Sequence, residues 1–187
     1  MNNLQKIIQT WKTIFSIQDL QKILWYKNIQ SVRNFVSRWT KNWFFKKCQN
    51  GIYCLENFNV FELANKLKTI SYVSLETILK KEGIIFQDYW NTIFSVSNRS
   101  LEKEVLWYKF LYFKIKDDIL LNPLWLENKW TYTIASKERA ICDKIYLNRN
   151  YYFDNLKPVN KEKLYQIAQI YPNYVILEVK KILDGIR

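Results

Sequence analysis

Apolar and polar positions separate most sharply in the segment 29–41. Its apolar side chains recur at i, i+3, i+4 and i+7, the spacing of one helical face: Val32, Phe35, Val36 and Trp39. The opposite side carries amide, hydroxyl and basic side chains and no acid: Gln30, Ser31, Arg33, Asn34, Ser37, Arg38 and Lys41. Arg, Asn and Gln can each make two hydrogen bonds to one base edge, although a solvated basic face has the same composition. The segment predicts an amphipathic helix with a candidate nucleic-acid interface.

The residues around this helix predict a winged helix-turn-helix. Upstream, 4–14 carries apolar residues on one side of a helix, and Ser16 with Asp19 has the cap-plus-acid arrangement of a second helix start. Downstream, aromatic and β-branched runs at about 44–48 and 52–55 flank Gln-Asn-Gly, a hairpin signal because Asn and Gly tolerate positive φ. In this motif one helix enters the major groove and the hairpin touches the adjacent backbone. The hairpin residues expected to hold phosphates are Lys46, Lys47, Gln49 and Asn50.

Positive charge is concentrated in residues 1–57. They hold nine lysines and arginines against two acids, whereas the whole protein has 29 against 17 and a net charge of +12. A dense positive field on a small module is what phosphate neutralisation requires. Double-stranded DNA is therefore the expected partner of a first domain over 1–57.

The overall composition excludes several classes of protein. The 187 residues contain no histidine, which removes imidazole catalysis and most zinc sites. Cys48, Cys54 and Cys142 lack metal-ligand spacing; the first two either face each other across the hairpin or are small core residues in a reducing compartment. Because neither a membrane-length apolar run nor a secretory signal is present, we expect a cytoplasmic protein. From the histidine and cysteine content we expect no catalytic residue, metal or cofactor.

Residues 58–187 predict a second domain, of compact mixed α+β structure. Its expected helices lie near 61–67, 74–83, 136–148, 161–170 and 175–186, and its expected strands near 91–97, 105–115 and 130–134. Ser74 and Ser136 are the expected N-caps, and Gly83 is the expected stop of the 74–83 helix. The fold class is therefore α+β, with a winged helix-turn-helix preceding this domain.

Two segments of the second domain resemble those of AbiEi-type antitoxins. Residues 71–85, SYVSLETILKKEGII, are similar to the family segment YVSLESAL…HGLI, and residues 135–147, ASKERAICDKIYL, are similar to PEKALLDLLYL. Between them, 94–99 is a strand ending in Arg, as in the family. With the winged helix, the similarity covers most of residues 13–150. The chain departs from the family pattern at Glu82, where His is frequent, and at Ser136, where Pro is common.

The resemblance implies a two-domain transcriptional regulator of a bacterial toxin–antitoxin operon. The winged helix of such a protein binds inverted repeats in its own promoter. The C-terminal domain carries the antitoxin activity, which neutralises a nucleotidyltransferase-like toxin without a stable complex.

Other functions are compatible with the same residues. The aromatic strand residues Trp107, Tyr108, Phe110, Tyr112 and Phe113 could form a partner surface in a protein-interaction module that uses the winged helix as scaffold, although core burial explains them more simply. An enzyme lacks any paired acid–base motif. Asp117 and Asp118 could bind a cation or form a turn, and Glu138 and Asp143 could cap a helix or pair with Lys137, Arg139 and Lys144.

Overall fold

The structure is a computed structural model that describes residues 2–185. The chain divides into two compact units, Met1–Lys66 and Leu67–Arg187. Each unit contains both helices and strands, so the expected α+β class is confirmed. The boundary lies after Lys66 and not after Asn57 as predicted, because the helix that follows Asn57 is bound to the start of the first unit.

The first unit consists of short helices and a small sheet. In chain order its elements are α1 (Asn3–Ile8), β1 (Ile14–Ser16), α2 (Ile17–Leu24), α3 (Ile29–Lys41), β2 (Lys46–Gln49), β3 (Ile52–Cys54) and α4 (Val60–Leu67). The strands form an antiparallel sheet in the order β1-β3-β2, with Ile14 opposite Cys54 and Lys46 opposite Cys54 on its other side. Its core is apolar: Ile7, Phe15, Ile17, Leu20, Leu24, Val32, Phe35, Val36 and Phe45.

Two elements of the first unit begin or end away from their predicted positions. The helix predicted over 4–14 ends at Ile8, because Ile14 already pairs with β3. The first hairpin strand begins at Lys46 and not near residue 44, because the N–H groups of Phe44 and Phe45 both donate to the carbonyl of Trp39. The predicted cap of α2 is confirmed: Ser16 Oγ accepts from the Asp19 N–H at 3.1 Å.

The second unit is built on a mixed sheet. Its elements are β4 (Ser71–Val73), α5 (Leu75–Lys81), β5 (Thr92–Ser97), β6 (Leu101–Val105), β7 (Tyr108–Lys114), α6 (Asp117–Leu120), β8 (Leu126–Asn128), β9 (Thr133–Ala135), α7 (Lys137–Leu147), α8 (Lys161–Ala168) and α9 (Asn173–Gly185). The strand order is β6-β7-β5-β4-β9-β8. The β5–β7 and β4–β9 pairs are parallel, and the other neighbours are antiparallel.

The aromatic stretch predicted as one strand over 105–115 is the second arm of a hairpin. Val105 ends β6, and the chain turns through Leu106 and Trp107 into β7. Of the aromatic side chains in this stretch, Phe110 and Tyr112 are buried, whereas Trp107 is 57% exposed. Core packing therefore accounts for the centre of the strand.

The predicted helices of the second unit are present with small changes at their ends. Ser136 caps α7 as expected, because its Oγ accepts from the Arg139 N–H. Ser74 precedes α5 but makes no capping hydrogen bond. Asp117 and Asp118 form the first turn of α6, and the predicted helix end at 186 lies outside the described residues. Within residues 2–185, no helix is long and apolar enough to cross a membrane.

Glu62 binds α4 to the strand β1. Its side chain is 4% exposed and accepts from the Thr13 N–H at 2.9 Å, the Thr13 hydroxyl at 2.7 Å and the Ile14 N–H at 3.2 Å. A neighbouring ion pair joins Lys66 to Asp19 of α2. Burial opposes ionisation of Asp19, but the bonds from Lys66 and Ser16 outweigh it and lower its pKa. These contacts place residues 58–66 in the first unit.

We predict that Glu62→Ala lowers the free energy of unfolding by about 1–3 kcal/mol, because it leaves buried N–H donors without an acceptor. Urea denaturation of the full chain, followed by circular dichroism, measures the change. Glu56→Ala removes a carboxylate that is 71% exposed and serves as the control, with an expected effect below about 0.5 kcal/mol. Equal losses in the two variants would contradict the role given to Glu62.

Candidate nucleic-acid interface

The helix α3 is fixed at both ends and along one side. Asn28 caps its start, with Oδ1 accepting from the Gln30 N–H at 2.8 Å. Val32, Phe35 and Val36 are buried, and Trp39 is half-buried. The helix predicted over 29–41 is therefore confirmed at both ends, and its apolar stripe faces the core of the first unit as expected.

The opposite side of α3 is open to solvent. All of the side chains assigned to it are exposed: Gln30, Ser31, Arg33, Asn34, Ser37, Arg38 and Lys41. Gln30 Nε2 donates to Asn34 Oδ1 at 3.1 Å, one helical turn away. This bond orients two amides along the helix and leaves other polar atoms of each amide for a ligand. The exposed side offers several donors and acceptors and a local positive charge.

The hairpin residues lie on β2 and the turn that follows it. Lys47 and Asn50 are exposed, whereas Lys46 and Gln49 are half-buried, and Lys46 Nζ lies 3.4 Å from a Glu56 carboxylate oxygen. The register shifts between Lys47 and Gln49, so Cys48 forms a bulge. Gly51 takes the left-handed conformation at φ +78°, and its carbonyl accepts from the Ile17 N–H at 3.1 Å, which anchors the turn to the start of α2.

Cys48 and Cys54 are free thiols on neighbouring strands. A hydrogen bond between them raises the pKa of the Cys48 thiol and lowers that of Cys54. Cys54 is buried in the core, whereas Cys48 is half-buried in the bulge. Because Lys46 is the residue opposite Cys54, the two cysteines are not directly opposite each other, and the core interpretation holds for Cys54.

A second polar cluster, which sequence reasoning did not find, lies inside the second unit. Asp143 is fully buried and accepts from the hydroxyls of Tyr171 at 2.7 Å, Ser74 at 2.7 Å and Tyr72 at 3.1 Å. Burial raises the pKa of the Asp143 carboxyl, while Arg139 and the hydroxyls act in the opposite direction. Asp143 was expected to cap a helix or to pair with Lys137, Arg139 or Lys144. Local sequence patterns do not indicate its bonds to Tyr72 and Ser74, which are 71 and 69 positions away.

Arg139 completes this cluster. Its Nε donates to the Tyr72 hydroxyl at 3.2 Å, and its terminal nitrogens donate to backbone carbonyls at 2.6 to 2.9 Å: Ile119, Asn122 and Leu124. The guanidinium therefore holds the segment after α6, and Tyr72 connects it to Asp143. Glu138, also buried, accepts from the Asn160 N–H at 3.1 Å. All of these side chains are buried, so their hydrogen bonds hold the segments of the second unit together.

Comparison with known proteins identifies the fold alone. No protein-family model and no curated protein matches the chain. The solved structure of the RV2827C protein from Mycobacterium tuberculosis is similar, with a TM-score of 0.52 and 11% sequence identity over 96% of this chain and 74% of that chain. At this identity the similarity concerns the arrangement of helices and strands.

We predict that Asp143→Ala lowers the free energy of unfolding by about 3–5 kcal/mol, because it leaves three buried hydroxyls and a buried arginine without their anion. Asp143→Asn keeps an oxygen acceptor and should recover part of this loss. Thermal and urea denaturation of both variants tests the order. If Asp143→Asn is as damaging as Asp143→Ala, the hydroxyl bonds to Asp143 contribute little.

Proposed function

We propose that this protein is a DNA-binding transcriptional autorepressor and the antitoxin of a bacterial toxin–antitoxin operon, acting in the cytoplasm. The observation that carries the DNA-binding half is the exposed, acid-free side of α3. The order of α1, α2, α3 and the β2–β3 hairpin matches a winged helix-turn-helix, in which the second helix of the turn enters the major groove. A helix of 13 residues is about 20 Å long, which is enough to follow the groove across several base pairs.

The side chains divide into two roles. Gln30, Arg33, Asn34, Ser37 and Arg38 would read base edges from α3, and Ser31 would contact DNA beside them. Lys41, Lys46, Lys47, Gln49 and Asn50 would hold phosphates at the end of the helix and on the hairpin. Base contacts set which sequence is bound, whereas phosphate contacts set orientation and most of the salt dependence. The buried stripe of α3 supports the role given to this helix, because it leaves the polar side facing solvent.

The antitoxin half rests on the resemblance of residues 71–85 and 135–147 to AbiEi-type antitoxins. These segments include Tyr72, Ser74, Arg139 and Asp143, which meet in the buried cluster of the second unit. Their joint burial supports the view that the two segments are a structural signature of one domain. The partner would be a nucleotidyltransferase-like toxin, neutralised without catalysis by this chain.

We predict that Arg33→Ala/Arg38→Ala weakens binding to the DNA upstream of this protein's own gene by tenfold or more, since each arginine on a guanine contributes about 1–3 kcal/mol. Fluorescence anisotropy at fixed salt measures it against a shuffled duplex. Lys46→Ala/Lys47→Ala should instead weaken both duplexes alike and reduce the salt slope by about one per lost phosphate contact.

The matched control is Arg99→Ala/Lys116→Ala, which removes the same charge from exposed positions of the second unit and should leave binding unchanged. Parent-like affinity of the Arg33/Arg38 variant for the upstream DNA would contradict base reading by α3. Absence of DNA binding even at low salt, together with a stable protein partner, would favour the interaction-module alternative.

We predict that a gene for a nucleotidyltransferase-like protein lies beside this protein's gene, and that the full chain restores growth to cells that express that product. The Arg33→Ala/Arg38→Ala variant, expressed from an independent promoter, should restore growth equally, because neutralisation belongs to the second unit. Growth counts after induction measure the effect. Persistent growth arrest in the presence of folded parent chain would reject the antitoxin half and leave the DNA-binding half intact.

A further inference from the structure

Tryptophan occupies a backbone conformation that strongly favours glycine. Of the eight described residues other than glycine that lie in the left-handed region, five are tryptophans, with φ between +57° and +67°: Trp11, Trp25, Trp43, Trp125 and Trp130. The other three are Leu75, Asn91 and Leu106. This region brings Cβ close to the following carbonyl oxygen, at a cost that only glycine avoids. Asn and Asp are the usual exceptions, and a bulky aromatic side chain has no comparable local compensation.

The end of α3 shows most directly that a tryptophan occupies a position where glycine is usual. The Trp43 N–H donates to the Thr40 carbonyl at 3.2 Å, and the Phe44 N–H donates to the Trp39 carbonyl at 2.9 Å. This pair of bonds closes a helix in the motif whose left-handed residue is usually glycine.

The end of α5 has the same two bonds around a glycine. The Gly83 N–H donates to the Lys80 carbonyl at 3.0 Å, and the Ile84 N–H donates to the Leu79 carbonyl at 2.8 Å. Gly83 has φ +67° and Trp43 has φ +60°. The helices α3 and α5 thus end in the same motif, and the left-handed residue is tryptophan in α3 and glycine in α5.

Three of the remaining four positions also lie in turns or helix ends where positive φ favours glycine. Trp25 is the left-handed cap of α2. Trp125 is the third residue of a turn closed by the Leu126 N–H on the Pro123 carbonyl at 3.1 Å, where positive φ calls for glycine. Trp130 is the central residue of a three-residue turn closed by the Thr131 N–H on the Lys129 carbonyl at 2.7 Å, a strained conformation at positive φ.

Packing does not offset this strain at four of the five positions, whereas at Trp125, which is half-buried, Lys163 Nζ lies 4.5 Å from the ring centroid. Four of the five indoles are about four-fifths exposed: Trp11 82%, Trp25 83%, Trp43 78% and Trp130 81%. The fifth, Trp125, has a buried Nε1 with no hydrogen-bond partner. The composition is unusual in the same direction: the chain has eight tryptophans and three glycines, whereas average usage gives roughly 13 glycines for this length.

We propose that these five positions are glycine in the protein made by its source cell. The codon UGA connects the two residues, because one variant genetic code reads it as tryptophan and another reads it as glycine. Trp39 carries no such signature: it is helical, half-buried, and packs its ring against Phe35 and Phe44. The inference is independent of the proposed function and rests on backbone geometry and composition.

Two measurements test it. The gene should carry UGA at the five positions, and peptide mass spectrometry of protein purified from its source cells should show glycine there. UGG codons, or tryptophan in those peptides, would overturn the inference.

The physical half is tested on the full chain with all five positions changed from Trp to Gly. We expect the folding equilibrium constant to rise about two- to tenfold per position, because relief of left-handed strain exceeds the added chain entropy of glycine. Trp39→Gly is the matched control and should lower the constant about tenfold or more, since it loses ring packing and helix propensity. A five-position variant less stable than the parent would overturn the assignment.

Discussion

Burial of the apolar stripe of α3 fixes the rotation of that helix, and the candidate interface depends on this rotation. Each buried aliphatic or aromatic side chain stabilises the fold by about 1.5–3 kcal/mol, whereas an exposed ion pair contributes about 0–1 kcal/mol. Val32, Phe35 and Val36 therefore decide which side of α3 faces solvent. If the apolar pattern were displaced by one position along the sequence, the buried side of the helix would rotate by about 100°. The exposure of Arg33 and Arg38 follows from packing.

Features governed by neighbouring residues could be predicted from the sequence. The bounds of α3, the Ser16 and Ser136 caps and the Gly51 turn depend on spacings of four residues or fewer, so the local pattern contains the relevant physics. The wrong prediction of a helix over 4–14 has the opposite origin. Ile14 is apolar in either structure, and its pairing with Cys54 is a contact between residues 40 positions apart. The end of the helix is therefore set by the sheet and not by the segment itself.

The buried cluster of the second unit lay beyond sequence reasoning for the same reason. Ser74 has the sequence context of an N-cap, yet its hydroxyl donates to Asp143, 69 positions away. A buried carboxylate without donors is costly, so three hydroxyls converge on it, and the capping bond of Ser74 is given up. The position of the domain boundary after Lys66 depends on comparable bonds, which the N–H and hydroxyl groups of Thr13 donate to Glu62. In both units a buried acid joins segments that are distant in the sequence.

Backbone conformation provides information that side-chain patterns do not. With tryptophan at positions 11, 25 and 43, the first unit has several exposed indoles, and such apolar surface ordinarily indicates a docking site. With glycine, these helix ends and turns carry no side chain, and charge is then the dominant feature of the surface. Trp43 lies between α3 and β2, where the proposed function requires the chain to approach phosphates. Glycine at this position removes an exposed ring from that approach, so the backbone geometry and the proposed DNA contact favour the same residue.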